Sequence, residues 1–340
     1  MNTDRNYILD NDGNYLKIIG NFHPDGKIVS YVKYFPSQYG HKTIEDQKYS
    51  FNSIVAKSFV FLKGNPDRVC FSSHHGNIVT CTPIEKVKKI FDCREKLQEI
   101  LNNKEKYLGH PVGSELIKFL DHIATKVNMG KVGITGSFLV DAFDKNSDID
   151  LVCYGNEATT IMRECFDKFT ISYRGEFAMS LYLRRIAHMK PMNFDLLIEQ
   201  ENRKLQGLTQ ENKIHINCQP LREDENDFFE KLELIDIGEI ECIAVIVDDT
   251  EGQYAPSVYK IEIIDIIQSL FSSDSNFSSK VQVFISYIGG YANSFRKGDK
   301  VYLKGGLVLI RENNKIYYGV ELTPWNTDSF HQANLLKKYS

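Results

Sequence analysis

Two short clusters in the stretch GITGSFLVDAFDKNSDIDLVCYG, residues 133–155, carry groups that do chemistry. Gly136 and Ser137 follow a short apolar strand and stand at the start of a helix, a place where backbone N–H groups and a hydroxyl hold phosphate oxygens. The missing side chain at Gly136 lets the backbone come close to such a group. Asp148 and Asp150 stand two residues apart on a strand, so both carboxylates leave the same face and can share divalent cations, Mg²⁺ or Mn²⁺. Ile149 and Leu151 point the other way, into the core. A phosphate-holding turn facing a carboxylate pair is what metal-assisted nucleotidyl transfer needs. The cation neutralises a triphosphate, activates the attacking hydroxyl and stabilises the departing pyrophosphate.

These residues need a frame, and the flanking sequence alternates helix and strand. Ser114 is placed to cap a helix that puts Leu116, Leu120, Ile123 and Val127 on one face and stops at Gly130. The strand KVGI follows, then the Gly-Ser turn, the apolar SFLVDAF, the polar loop DKNS and the strand IDLVCY; Asn156 then caps a helix through Ile161, Cys165 and Phe169. This order predicts an α/β domain over residues 106–225.

Upstream, YIL, YLKIIGNF and KIVSYVKYF surround the turn pairs Asp12-Gly13 and Asp25-Gly26, which is hairpin chemistry and predicts a small antiparallel sheet. Ser53 is expected to cap a helix carrying Ile54, Val55, Phe59 and Leu62. Thr82-Pro83 is expected to open the helical stretches IEKVKKIF and REKLQEILNN. Residues 1–105 therefore read as a β-rich module with helices. Downstream, five strand-like runs with paired glycines at 289–290 and 305–306 predict an OB-like β-barrel over residues 226–340, with a plain sandwich as the alternative. There Phe284, Tyr287, Tyr291, Phe295, Arg296, Lys297, Tyr302 and Lys304 interleave aromatic and basic groups, as a stacking surface for RNA or DNA does. Strand alternation equally places half of them in a core, and Trp325 is expected to pack beneath the barrel. The overall class is α+β.

Composition bounds these readings. With 340 residues, 42% hydrophobic and 25% charged, the chain can bury a core and hold two or three domains, which excludes disorder and collagen-like repetition. Lys plus Arg number 41 against 45 Asp plus Glu, so no global positive field advertises nucleic acid and any basic site is local. The 7 cysteines are odd in number and form no Cys-x-x-Cys pair, which argues against a disulfide framework or a structural zinc and for a cytoplasmic location. No apolar run approaches the roughly 20 residues that span a bilayer, so no membrane partner is expected.

The Gly-Ser turn, the intervening loop and the Asp-x-Asp strand resemble the nucleotidyltransferase signature of the DNA polymerase beta superfamily. Their form here is similar to an archaeal branch of predicted nucleotidyltransferases, and the similarity extends to KIVSYVKYFP, ENRKLQG, VDDTEGQYAPSVYKI and YIGGY. The resemblance implies a polymerase-beta-like central domain that takes a nucleoside triphosphate, with Gly136 and Ser137 on its phosphates and Asp148 and Asp150 on the metals. It also implies a third carboxylate from a neighbouring strand as general base. Asp195 in MNFDLLIEQ is the candidate for that role. Against it, Asn193 can cap a helix FDLLIEQENRKLQ that stops at Gly207, which leaves Asp195 in a first turn and KIHINCQ, with no acid, as the neighbouring strand. The helical reading is preferred. Arg203 and Lys204 are candidates to clamp a triphosphate, or are ordinary cations at a helix C-terminus; Arg184 and Arg185, near His188 and Lys190, are a second basic cluster. The expected reaction moves a nucleoside monophosphate to an acceptor hydroxyl, a nucleic-acid 3′ end first. A protein side chain is the alternative acceptor, and a non-catalytic nucleic-acid-binding protein the alternative class.

Overall fold

Tyr7–Asp10 and Tyr15–Ile18 pair antiparallel across a turn in which Gly13 takes φ +82°, the left-handed conformation that Asp-Gly turns use. In the computed structural model, residues 3–223, 232–269, 277–312, 315–325 and 331–338 are described, without the side chains of 187, 188, 337 and 338. The chain divides into two compact units. One comprises Met1–Val69, Thr80–Ser172 and Leu205–Asp224, the other Cys70–Val79, Tyr173–Lys204 and Glu225–Ser340.

The first unit contains two sheets. The N-terminal sheet runs in the order Lys42–Ile44, Gln47–Phe51, Lys27–Pro36, Tyr15–Ile18, Tyr7–Asp10, Val87–Phe91. Two helical expectations fail here. Thr82 and Pro83 end a strand, Asn77–Pro83, and Val87–Phe91 pairs with Tyr7–Asp10. Pairing with a distant strand outweighs the helix propensity of VKKIF, and the helix Cys93–Asn102 starts only where the Asp92 side chain accepts from the N–H groups of Arg94 and Glu95. Ser53 caps nothing; a 3₁₀ turn Val55–Lys57 leads into the four-residue helix Ser58–Phe61, and the Ser58 hydroxyl accepts from Val32 N at 3.1 Å.

The second sheet of this unit has the order Thr170–Ile171, Gln206–Thr209, His215–Leu221, Ile149–Tyr154, Val132–Ile134. Alternation along Ile149–Tyr154 decides what each face meets. Ile149, Leu151 and Cys153 enter a core with Leu116, Leu120 and Ile123 of the helix Pro111–Ile123 and Met162 and Cys165 of the helix Asn156–Phe169. Val152 and Tyr154, on the aspartate face, pack with Tyr7, Tyr15, Tyr34 and Tyr49 of the N-terminal sheet. The helix starts differ from expectation by a few residues: Pro111 opens the first with Ser114 inside it, and Gly155, at φ +85°, rather than Asn156 precedes the second.

The second unit carries a strongly curled half-barrel. Leu232–Asp248 pairs antiparallel with both Ser257–Ser269 and Asp299–Glu312; Ser257–Ser269 pairs with Val281–Ser286, which runs parallel to Lys315–Leu322. A strand not expected from the sequence, Gln332–Lys338, adds to Asp299–Glu312. Gly305 lies inside a strand where a Cβ would sit 2.4 Å from the Glu321 carbonyl oxygen, so its absence permits that pairing. Gly289 and Gly290 instead begin a 3₁₀ turn. Among the described residues no helix is long and apolar enough to cross a membrane.

Candidate active site

The strand Val132–Ile134 ends at Thr135, whose N–H donates to the Asp150 carbonyl at 2.8 Å and brings the next turn over the Asp-x-Asp strand. Gly136 makes that turn at φ +68°, and a Cβ placed on it would lie 2.3 Å from Asp150 Oδ2. A side chain at this position would force the turn or the carboxylate to shift. Ser137 is 9% exposed, and among the described residues its hydroxyl makes no protein hydrogen bond. No α-helix follows, in contrast to expectation: Phe138–Val140 is a single 3₁₀ turn, ended by Asp141 at φ +53°. Lys96 Nζ holds Asp141 at 2.7 Å, and Lys42 Nζ of the N-terminal sheet holds Asp144 at 2.8 Å, so the loop between turn and strand is anchored at both ends.

Asp150 lies in the strand and Asp148 immediately before it, both half-buried. Beside them runs His215–Leu221, parallel, with Asn217 in register with Asp150 and its side-chain amide donating to Asp150 Oδ1. The neighbouring strand thus offers an amide where the resemblance implies a third acid. Asp195 is in the first turn of the helix Phe194–Asn202, in the second unit, and Asn193 caps that helix by accepting from Leu196 N at 3.0 Å. It is not on the strand beside Asp150. Gly207, expected to stop this helix, lies in the strand Gln206–Thr209.

The other basic candidates have partners within the second unit. Arg203 pairs with Asp299 and Glu199, and Lys204 with Glu201 and the Gly290 carbonyl. Burial pulls the Lys204 ammonium down to about 8. Arg185 meets Glu201 at 2.8 Å, and the His188 side chain lies outside the described residues. The aromatic stacking surface is largely interior: Phe284, Tyr291 and Phe295 are fully buried and Tyr287 nearly so. Arg296 is spent on the carbonyls of Asn293, Phe295 and Arg203, and Lys304 on Glu241. Lys297 stays exposed and Tyr302 half-exposed. Trp325 is buried against His75 and Tyr287, as expected.

The N-terminal sheet contributes groups that motif reading passes over. Thr135 Oγ1 donates to the Arg5 carbonyl at 2.8 Å, tying the turn to the edge of that sheet. Burial, with the phenols of Tyr34 and Tyr31 and the Asp150 carboxylate, pushes the Tyr7 phenol well above its usual range. Burial and Asp150 do the same to Tyr34. Lys17 is pulled down to about 7 by burial and by Arg5 and Lys33, with Asp150 and Asp4 acting against them. A lysine in an otherwise apolar strand, YLKI, was the available signal.

Among the described residues no group of three His, Cys, Asp or Glu is gathered as a metal cage. Mg²⁺ does not require one, since it is commonly held by one or two carboxylates together with substrate phosphates. Asp148 and Asp150, beside a turn that only glycine can make, fit that manner of binding. Residues 115–241 match the family model of the nucleotidyltransferase domain, a span that includes the turn, both aspartates and Asn217. No curated protein and no solved structure matches the chain. The protein carries a nucleotidyltransferase domain and is a transferase enzyme, its acceptor left open by the match.

Proposed function

We propose that the chain transfers a nucleoside monophosphate from a nucleoside triphosphate to an acceptor hydroxyl, with a nucleic-acid 3′ end as the acceptor and Asp148 and Asp150 as the ligands of Mg²⁺ or Mn²⁺. The observation that carries the reading is the approach of the Gly136 turn to the Asp150 carboxylate, so close that a Cβ there would sit 2.3 Å from Oδ2. Gly136 and Ser137 present backbone N–H groups, and Ser137 a hydroxyl, to the β and γ phosphates. Asp150 gives one oxygen to Asn217 and keeps Oδ2 on the side of the turn. A divalent cation bound there supplies neutralisation of the triphosphate and a lowered pKa for the attacking hydroxyl. The acceptor oxygen bonds to the α-phosphorus as the bond to the bridging oxygen breaks and pyrophosphate leaves. With Asn217 where a base would stand, the acceptor's proton leaves to water.

The reading takes the curled sheet of the second unit as an OB-like acceptor platform. Its support is the order of pairing, one parallel pair closing a run of antiparallel ones, with Lys297 and Tyr302 still at the surface. A cytoplasmic location is part of the proposal and is supported by seven cysteines that form no disulfide among the described residues.

The test incubates the protein with each α-phosphate-labelled ribo- and deoxyribonucleoside triphosphate, Mg²⁺ or Mn²⁺, and cellular RNA, DNA and protein, with Asp148→Ala/Asp150→Ala as control. Label entering a nuclease-sensitive product only with both aspartates intact is the expected result. Protease-sensitive label would move the acceptor to a protein side chain. No transfer from any nucleotide, with nucleic-acid binding that survives loss of both aspartates, would replace the transferase by a binding protein.

A further inference from the structure

The N-terminal sheet has two faces of different character. Ile8, Leu16, Ile18 and Val32 fill a small core on one side. Tyr7, Tyr15 and Tyr34 lie on the other, against Leu139, Val140 and Val152, which flank the Gly-Ser turn and follow Asp150 on its strand. Lys17 is two residues from Tyr15 and directly opposite Tyr7 and Tyr31 in the ladders on either side, so its side chain leaves the sheet on this second face. The strand meant to cover the aspartate face therefore brings an ammonium to it.

Among the described residues, neither the Lys17 ammonium nor the Tyr7 hydroxyl on this face has a side-chain hydrogen bond. Lys17 is half-buried, yet among the described residues it makes no ion pair and no side-chain hydrogen bond. Its neighbours Arg5 and Lys33 are cationic, and Arg5 is paired with Asp4 at 3.3 Å. Tyr7 is 0% exposed, and among the described residues its hydroxyl has no hydrogen-bond partner. An unpaired ammonium and an orphaned buried phenol are each destabilising, and side by side they describe a place for an anion that can accept from both.

We propose that Lys17, with the Tyr7 hydroxyl beside it, is a phosphate-binding group of the nucleotidyltransferase site and takes an anionic oxygen of the bound triphosphate. This rests on the reading of the Gly136 turn and Asp150 as a nucleotide site. Two carboxylates and a triphosphate crowd negative charge into one pocket, and one divalent cation leaves most of it uncompensated. Lys17 brings a positive charge from the opposite wall when a phosphate oxygen is there to hold its proton, and the flanking tyrosines strengthen that contact. The N-terminal sheet is then one wall of the active site.

The test measures, by calorimetry on the full chain, binding of inorganic tripolyphosphate in EDTA and of an α,β-methylene nucleoside triphosphate with Mg²⁺. Lys17→Met, Lys17→Arg, Tyr7→Phe and Asp148→Ala/Asp150→Ala are compared with wild type. Lys17→Met is expected to weaken both ligands by about 10- to 100-fold, the worth of one charge-assisted hydrogen bond, with Lys17→Arg recovering most of the loss and Tyr7→Phe giving a smaller one. Lys17→Met is also expected to melt close to wild type, because Lys17 is only half-buried; this establishes that the variant is folded. The aspartate variant is expected to lose the Mg²⁺-dependent analogue and keep tripolyphosphate. Equal affinity of wild type and Lys17→Met for both ligands, or no polyphosphate binding by wild type, overturns the proposal. Lys17-dependent tripolyphosphate binding without Mg²⁺-dependent nucleotide binding would keep Lys17 as an anion site and reject the transferase reading instead.

Discussion

Asn217 stands opposite Asp150 on the parallel strand beside it, and its side-chain amide donates to Asp150 Oδ1. A neutral donor at this position fixes the orientation of the Asp150 carboxylate. Asn217→Asp would replace that donor by a second carboxylate against the first. The expected result is a loss of about 1–3 kcal/mol of stability in EDTA, from like-charge repulsion and a lost hydrogen bond, much of it recovered in excess Mg²⁺. Thermal unfolding in the two buffers measures this. An EDTA melting temperature equal to wild type would mean that the two side chains do not face each other.

Arg68 and Asp10 form an ion pair at 2.9 Å, with 1% and 0% of their side chains exposed. Asp10 also accepts from the N–H groups of Asp12 and Asn14, so it organises the first hairpin. Removing the guanidinium leaves a buried carboxylate uncompensated. Arg68→Leu is expected to destabilise the first unit by about 3–5 kcal/mol, read as a shift in the urea midpoint, and to reduce transfer through loss of the sheet that covers Asp150. A midpoint within about 1 kcal/mol of wild type would contradict the burial of this pair.

Glu321, 3% exposed and with Oε1 unpartnered among the described residues, has its carboxyl pushed up to about 8 by burial and by Asp236. Its folded pKa lies above its unfolded one, so its contribution to stability is complete below the ordinary glutamate value and is lost as pH rises through about 8. Glu321→Gln removes this dependence. The difference in unfolding free energy, variant minus wild type, is expected to grow in the variant's favour from pH 5 to pH 8 by on the order of 2 kcal/mol or more. Taking the difference cancels the titrating groups that do not interact with Glu321. A pH-independent difference would place Glu321 in contact with water.

What was legible in the sequence follows how local each cause is. The Asp-x-Asp strand declares itself through its own alternation, and the helix at Phe194–Asn202 through the cap at Asn193. The same reading found a neighbouring strand without an acid, which the pairing of His215–Leu221 bears out. Val87–Phe91 read as helix because its partner, Tyr7–Asp10, is remote in sequence. Lys17 shows in the sequence only as a lysine in an apolar strand, with nothing to tie it or Tyr7 to the site, since which face of a strand meets the site is decided by packing of one sheet on another. The aromatic residues of the C-terminal strands misled for the converse reason: interleaving with lysine and arginine describes a binding surface and an amphipathic strand equally, and burial of Phe284, Tyr291 and Phe295 favours the second.

Gly136 is the position where sequence, backbone and chemistry constrain one another most tightly. Its φ of +68° disfavours any side chain, and the Cβ of alanine would lie 2.3 Å from Asp150 Oδ2 and 3.0 Å from its carboxyl carbon. The first effect alone costs about 1–2 kcal/mol. The second can be relieved only by moving the turn or turning the carboxylate away, and either motion separates the phosphate-holding N–H groups from the metal-binding oxygen. Gly136→Ala is therefore expected to keep a folded chain, with a melting temperature lowered by a few degrees, while transfer falls by about 100-fold or more. The loss should fall on nucleotide binding and turnover together, because the turn and Asp150 act on one triphosphate. Substitution at Gly26, which shares a left-handed φ of +72° but meets nothing within 4 Å, isolates the backbone effect. Gly26→Ala should show the thermal shift and full transfer activity. If Gly136→Ala transfers as well as Gly26→Ala does, the turn does not hold phosphate against Asp150.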